Sequence, residues 1–121
     1  MILGVGVLVL VLVLAVGLGA VGAGVAGYVQ AAGAADAAAL AAAPVTFRSF
    51  GARGSPAQEA ARFASANGTR LVRCSCRFDR SWNKRTVTVI VERLVTLPGL
   101  GRYGVRATSR ATFEPAALLQ P

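Results

Sequence analysis

Hydrophobic positions run unbroken through ILGVGVLVLVLVLAVGLGAVGAGVAGYVQ and pass into the alanine-rich AAGAADAAALAAA, where Asp36 is the first charge. A bilayer core needs about 20 apolar residues in helix, and residues 2–27 exceed that before Tyr28 and Gln30 bring the first interfacial side chains. Nothing before Pro44 forces the helix to stop, because alanine is the strongest helix former and Gly33 alone costs only about 1 kcal/mol. The pattern predicts one rod over residues 2–43, about 63 Å long and about twice the hydrocarbon thickness. Half of it must stand outside the membrane. A cleaved secretory signal is the alternative, since the alanine tract offers A-x-A patterns. Against it, the apolar run is longer than the roughly 7–15 residues of a signal core, and no Lys or Arg precedes it.

After Pro44, which is expected to end the rod, VTFRSFGARG reads as a connector. Ser55, Pro56 and Gln58 then have the spacing of an N-cap, a first-turn proline and a capping box, and Asn67-Gly68 reads as the helix end. The short helix over 56–66 presents Ala60, Phe63 and Ala64, with Phe63 as its only large anchor. From Thr69 the period changes from 3.6 to 2. Val72, Cys74, Cys76 and Phe78 fall on one face of a first strand, with Leu71, Arg73, Ser75 and Arg77 on the other. A polar loop, DRSWNK, leads to a second strand over 85–97, where Val87, Val89 and Val91 alternate with Thr86, Thr88, Ile90 and Glu92. Pro98-Gly99 suits the centre of a type II turn. A third strand over 102–113 turns Tyr103, Val105, Ala107, Ser109, Ala111 and Phe113 one way and its arginines the other. Residues 114–121 read as a tail. Short connections favour an antiparallel meander. The expected fold class is therefore α+β: a long N-terminal transmembrane helix (1–43), packed with a short helix against a small three-stranded antiparallel sheet in a second domain (44–121), whose side of the membrane the sparse flanking charge does not decide.

Charge sharpens this division. All thirteen Lys and Arg follow Pro44, twelve of them Arg, and the net charge is +8. The balance suggests an anionic partner, whether nucleic acid, lipid headgroups or an acidic surface polymer, although GC-rich coding would also favour Arg with Ala, Gly and Val. With no His, two Cys and five scattered acids, the chain lacks the material for most metal sites and nucleophile–base systems. No P-loop, dinucleotide or EF-hand pattern occurs. The expectation is no enzyme, no cofactor, no small-molecule substrate and, with few aromatics to stack bases, no nucleic-acid partner.

Three sets of residues stand out. Gly17, Gly19, Ala20, Ala23, Gly24 and Gly27 give small-xxx-small spacings that let two helices approach closely in lipid, or reflect the general abundance of glycine in membrane helices. Arg73, Arg77, Arg102, Arg106 and Arg110 form a basic sheet face, which is an ordinary solvated face or an anion-contact surface. Cys74 and Cys76 point to the same side of one strand with Cα atoms about 6.5–7 Å apart, at the upper edge for a disulfide. Two buried free thiols are the first expectation. A strained or partner-shared disulfide and metal binding are the alternatives.

The order of a Gly/Ala/Val membrane run, AAGAADAAALAAA, an Ala-rich helix closing with SANGTRLVRC, a Val/Thr strand, LPGLG and VRATSRATFEP resembles TadE-like proteins of tight-adherence (Flp) pilus and secretion loci, in their short actinobacterial form. The resemblance spans nearly the whole chain and rests on order and spacing. It implies a pilin-like architecture and a membrane-anchored minor pilin or pseudopilin with its sheet outside the cell. Membrane lipid, other pilin-like subunits and pilus or secretion machinery are the implied partners. Processed members carry a charged leader and a glycine cleavage point, whereas Met1 sits directly on the apolar run. A single-pass anchor presenting a basic sheet to anionic lipid or wall polymer is the alternative function.

Overall fold

The computed structural model describes residues 1–119 and is an α+β fold. Its elements are α1 (Ile2–Val45), α2 (Pro56–Ala66), β1 (Arg70–Ser75), β2 (Arg85–Leu97), β3 (Gly101–Phe113) and a closing 3-10 turn (Pro115–Leu119). The 3-10 turn takes up most of the expected tail and buries Pro115. The last two residues of that tail lie outside the described residues.

α1 is a single helix of 44 residues, about 66 Å long. Its two halves meet different surroundings. Every residue from Met1 to Gly19 is exposed, and this half is long and apolar enough to cross a membrane. The other half buries Ala31, Ala34, Ala35, Ala38, Ala39 and Ala42, the i, i+3, i+4 spacing of one helix face. Side chains this small let the rod lie close against the sheet.

Pro44 does not end α1 but sits inside its last turn. Only the proline's own N–H is missing from the ladder. The Pro44 carbonyl accepts from the Phe47 and Arg48 amides at 3.0 and 3.1 Å, and the Thr46 hydroxyl donates to the Ala43 carbonyl at 2.6 Å. Burial of Ala43, Val45, Thr46 and Phe47 holds the residue before the proline helical against its preference.

The short helix starts as its capping box requires. The Ser55 hydroxyl accepts from the Gln58 amide at 3.1 Å and the Gln58 side chain accepts from the Ser55 amide at 2.8 Å. Phe63 is not its anchor. Ala60 and Ala64 are fully buried while Phe63 is 36% exposed, with the Arg62 guanidinium 5.1 Å from its ring centroid. Two alanine faces in contact leave the phenyl ring at the rim.

The sheet has the order β1-β2-β3 and is antiparallel throughout. Val87, Val89 and Val91 of the central strand are buried against the rod, each contributing about 1.5–3 kcal/mol. On β3, Ala107 and Ala111 share that face. β1 departs from simple alternation. A bulge between Leu71 and Arg73 puts Leu71 opposite Val91 and Cys74 opposite Val89. Leu71, not Val72, therefore joins the core. Phe78 lies beyond the strand and is exposed.

β2 and β3 run in unbroken register from Arg85↔Phe113 to Leu97↔Gly101. Their turn closes through the Leu100 amide on the Leu97 carbonyl at 3.0 Å, with Gly99 at φ +76°, as the third position of a type II turn requires. This hairpin descends along α1. A Cβ at Gly24 would touch Leu97 Cδ2 at 4.0 Å, and one at Gly27 would overlap the Val95 side chain. Only glycine fits beneath Val95.

Candidate functional site

The sheet turns its valines toward the rod, so the even positions of β2 and β3 and their β1 neighbours face outward. Arg73, Arg102, Arg106 and Arg110 stand on that open face, opposite Ile90, Thr96, Glu92 and Thr88 of β2. All four are exposed. Arg77 is exposed too but follows the end of β1, outside the paired sheet. Arg70 takes its place: the bulge moves it to the open face opposite Glu92. Strict alternation would have put Arg70 with the cysteines.

Glu92 is the acid of this face. It accepts from Arg106 at 2.9 Å and Arg70 at 3.3 Å. The hydrogen bond from Arg106, reinforced by Arg70, holds its carboxyl below the ordinary value of 4.5. Arg73, Arg102 and Arg110 have no ion-pair partner among the described residues, so the face keeps an uncompensated positive stripe.

The small residues of α1 divide. Gly17 and Gly19 have nothing within 4 Å of a would-be Cβ and are free for contact with another helix. Ala20, Ala23 and Gly24 are half-buried and Gly27 is buried. At Gly24 and Gly27 the neighbour is the chain's own hairpin.

The cysteines correct the expectation of free thiols. Cys74 and Cys76 are joined in a disulfide with Cα atoms 5.4 Å apart. The extended-strand estimate overshot because β1 ends at Ser75, and the chain contracts before Cys76. Their burial follows expectation: Cys76 belongs to the core and Cys74 packs against it. Two bonded sulfurs leave no thiolate for a metal, and no group of three or more metal-ligating side chains occurs among the described residues.

Sequence reasoning missed the cluster at the outer end of the rod. Phe47 is buried against Trp82 and Phe113, with ring centroids at 5.0 and 6.2 Å. The Arg85 guanidinium lies 5.7 Å from the Phe47 ring centroid and donates to the carbonyls of Asp79, Ser81 and Asn83. It thereby ties the DRSWNK loop to the sheet. The signal was an aromatic residue after the rod and a second in the loop, too sparse for any periodicity. An open cleft of about 600 Å³ beside this cluster is lined by Phe47, Arg48, Phe78, Arg80 and Trp82, among others. Its lining holds no carboxylate, imidazole or thiol, so it offers no acid–base pair.

No known protein family, curated protein or solved structure matches the chain.

Proposed function

We propose that this chain is a membrane-anchored, pilin-like subunit: a minor pilin or pseudopilin component of a tight-adherence (Flp) type pilus assembly or secretion system, single-pass in the cell membrane with its N-terminus inside and its head outside. One observation carries the reading. A single unbroken helix is bare and apolar over its first half, and is the core element of a small α+β head over its second. Such a rod can leave the bilayer without the head refolding, and its bare half can exchange lipid for the helices of other subunits. Gly17 and Gly19, open on that half, favour close helix approach. The disulfide supports the outward placement of the head, since such bonds persist in oxidising compartments.

The test is a photo-crosslinking residue at Leu18, exposed beside those glycines, in the chain's native host. Adducts with itself or with other small single-helix subunits are expected. Lipid adducts alone would overturn the assembly reading.

The uncompensated stripe of arginines favours a second reading, an anchor that presents a basic sheet to a polyanion. Distance limits which anion. Arg110 adjoins Ser109, whose hydroxyl donates to Asp36, and Asp36 stands about 18 Å further up the rod than Gly24. The Debye length is about 8 Å at physiological salt. Arg102, near the turn, can therefore feel the membrane's own headgroups, while Arg110 would need a wall polymer or another subunit. In this reading Arg73→Glu with Arg110→Glu abolishes binding of the detergent-solubilised chain to anionic wall polymer in a co-sedimentation assay, and substitutions at Gly19 do nothing. In the pilin reading the pattern reverses.

A further inference from the structure

The head carries a second apolar feature besides the bare helix: the tip of the β2–β3 hairpin. Leu100 is 60% exposed, Pro98 is exposed and Leu97 is half-buried. Leu94, higher on the hairpin, is 64% exposed. No charged residue lies between Arg93 and Arg102, and Arg102 with Tyr103 follows the turn at once. An apolar turn exposed on a small head is a solubility cost unless something covers it.

Height along α1 identifies the cover. Leu97 sits at the level of Gly24, and the turn beyond it descends toward Ala20, the first residue of the rod that is not fully exposed. Below that point residues 2–19 are bare, a length of about 27 Å. A hydrocarbon core is about 30 Å thick. If the bare segment spans the bilayer, the turn stands at its outer boundary.

The geometry points to the β2–β3 turn as a second membrane contact: Leu97, Pro98 and Leu100 enter the outer interface of the same bilayer that α1 spans, and Arg102 meets lipid phosphate above them. The inference rests on the membrane-anchored reading. Residue order fits it, with leucines at the tip, then an arginine whose stem can lie along acyl chains while its head reaches the phosphates, then a tyrosine suited to the headgroup layer. Two contacts also fix what one helix cannot. A lone span rotates and tilts freely, whereas a span plus a hairpin sets the head's azimuth and keeps the arginine face at a defined angle to the membrane.

The full chain carrying Leu100→Trp and Trp82→Phe is reconstituted into phosphatidylcholine–phosphatidylglycerol vesicles with and without bromine on the acyl chains. The wild-type chain, with Trp82 at the far end of the head, is the control. The tryptophan at position 100 should lose most of its emission in brominated vesicles and resist iodide, while Trp82 keeps its emission. Leu100 is exposed and the exchange asks nothing of the core; Pro98→Trp in the same background reads the same height. Flotation with the vesicles but no bromine quenching at either position overturns the hairpin contact and leaves the anchor reading standing. Shielding that depends on protein-to-lipid ratio rather than on bromine assigns the turn to a second copy and also overturns it. Failure to float overturns both.

Discussion

At the scale of single residues, the most exacting positions are those where one atom too many would collide. Gly27 lies beneath Val95, and any side chain there must push the hairpin off the rod; Gly19 faces nothing. Gly27→Leu should destabilise the head by about 1–3 kcal/mol or more, read by thermal denaturation in detergent, while Gly19→Leu leaves the melting temperature unchanged and lowers crosslinking in membranes. Equal melting temperatures for both would contradict the docking of the hairpin. Glu92 makes a second residue-scale prediction. Its folded carboxyl titrates below the ordinary 4.5 because Arg106 and Arg70 favour the ionised form. The stabilising effect is therefore complete above that ordinary value and lost as pH falls through the lowered one. Arg106→Gln should raise the Glu92 pKa and shrink this acid sensitivity, seen by carbon-detected NMR titration of the side chain. An unmoved pKa would mean that the ion pair does not form in solution.

Among the elements, the rod and the short helix were legible because their signals are local. A capping box, a charge-free apolar run and an alanine face each act within a few residues. β2, β3 and their turn were legible for the same reason. β1 was not. Leu71 and Val72 are both apolar, so nothing in the letters marks which of them a bulge will turn inward, yet that choice decides that Arg70 joins the basic face. Pro44 misled in the opposite way: a sound local preference was overridden by the burial of its neighbours. The cysteine bond depended on where β1 stops, a matter of one residue. Because the disulfide closes only a minimal loop, it constrains the unfolded chain little. Replacing both cysteines by alanine should cost about 1–2 kcal/mol, and the native monomer should show no free thiol without reductant. Two alkylated cysteines in the unreduced, denatured chain would contradict the bond.

For the whole molecule, the proposed function turns on the two halves of one helix, one bare and apolar and the other buried in the head. The rod's length and apolar character were plain from the sequence. The descent of the hairpin along it was not, because no short-range pattern reports how a strand tilts across a distant helix. The hairpin leaves about 27 Å of α1 uncovered, close to one bilayer's thickness, with the basic sheet, the disulfide and the aromatic cluster all beyond the same end of that bare segment. The account stands or falls on which side of the membrane that end faces. Arg53, exposed in the connector between α1 and α2, is the place to ask, since the native cysteines are bonded to each other and will not compete. In osmotically stabilised spheroplasts, Arg53→Cys should react fully with a membrane-impermeant maleimide, and the labelled chain should remain in the membrane fraction after carbonate washing. Labelling that appears only after lysis, or a labelled chain released by the wash, would contradict a helix that spans the membrane and holds its head outside.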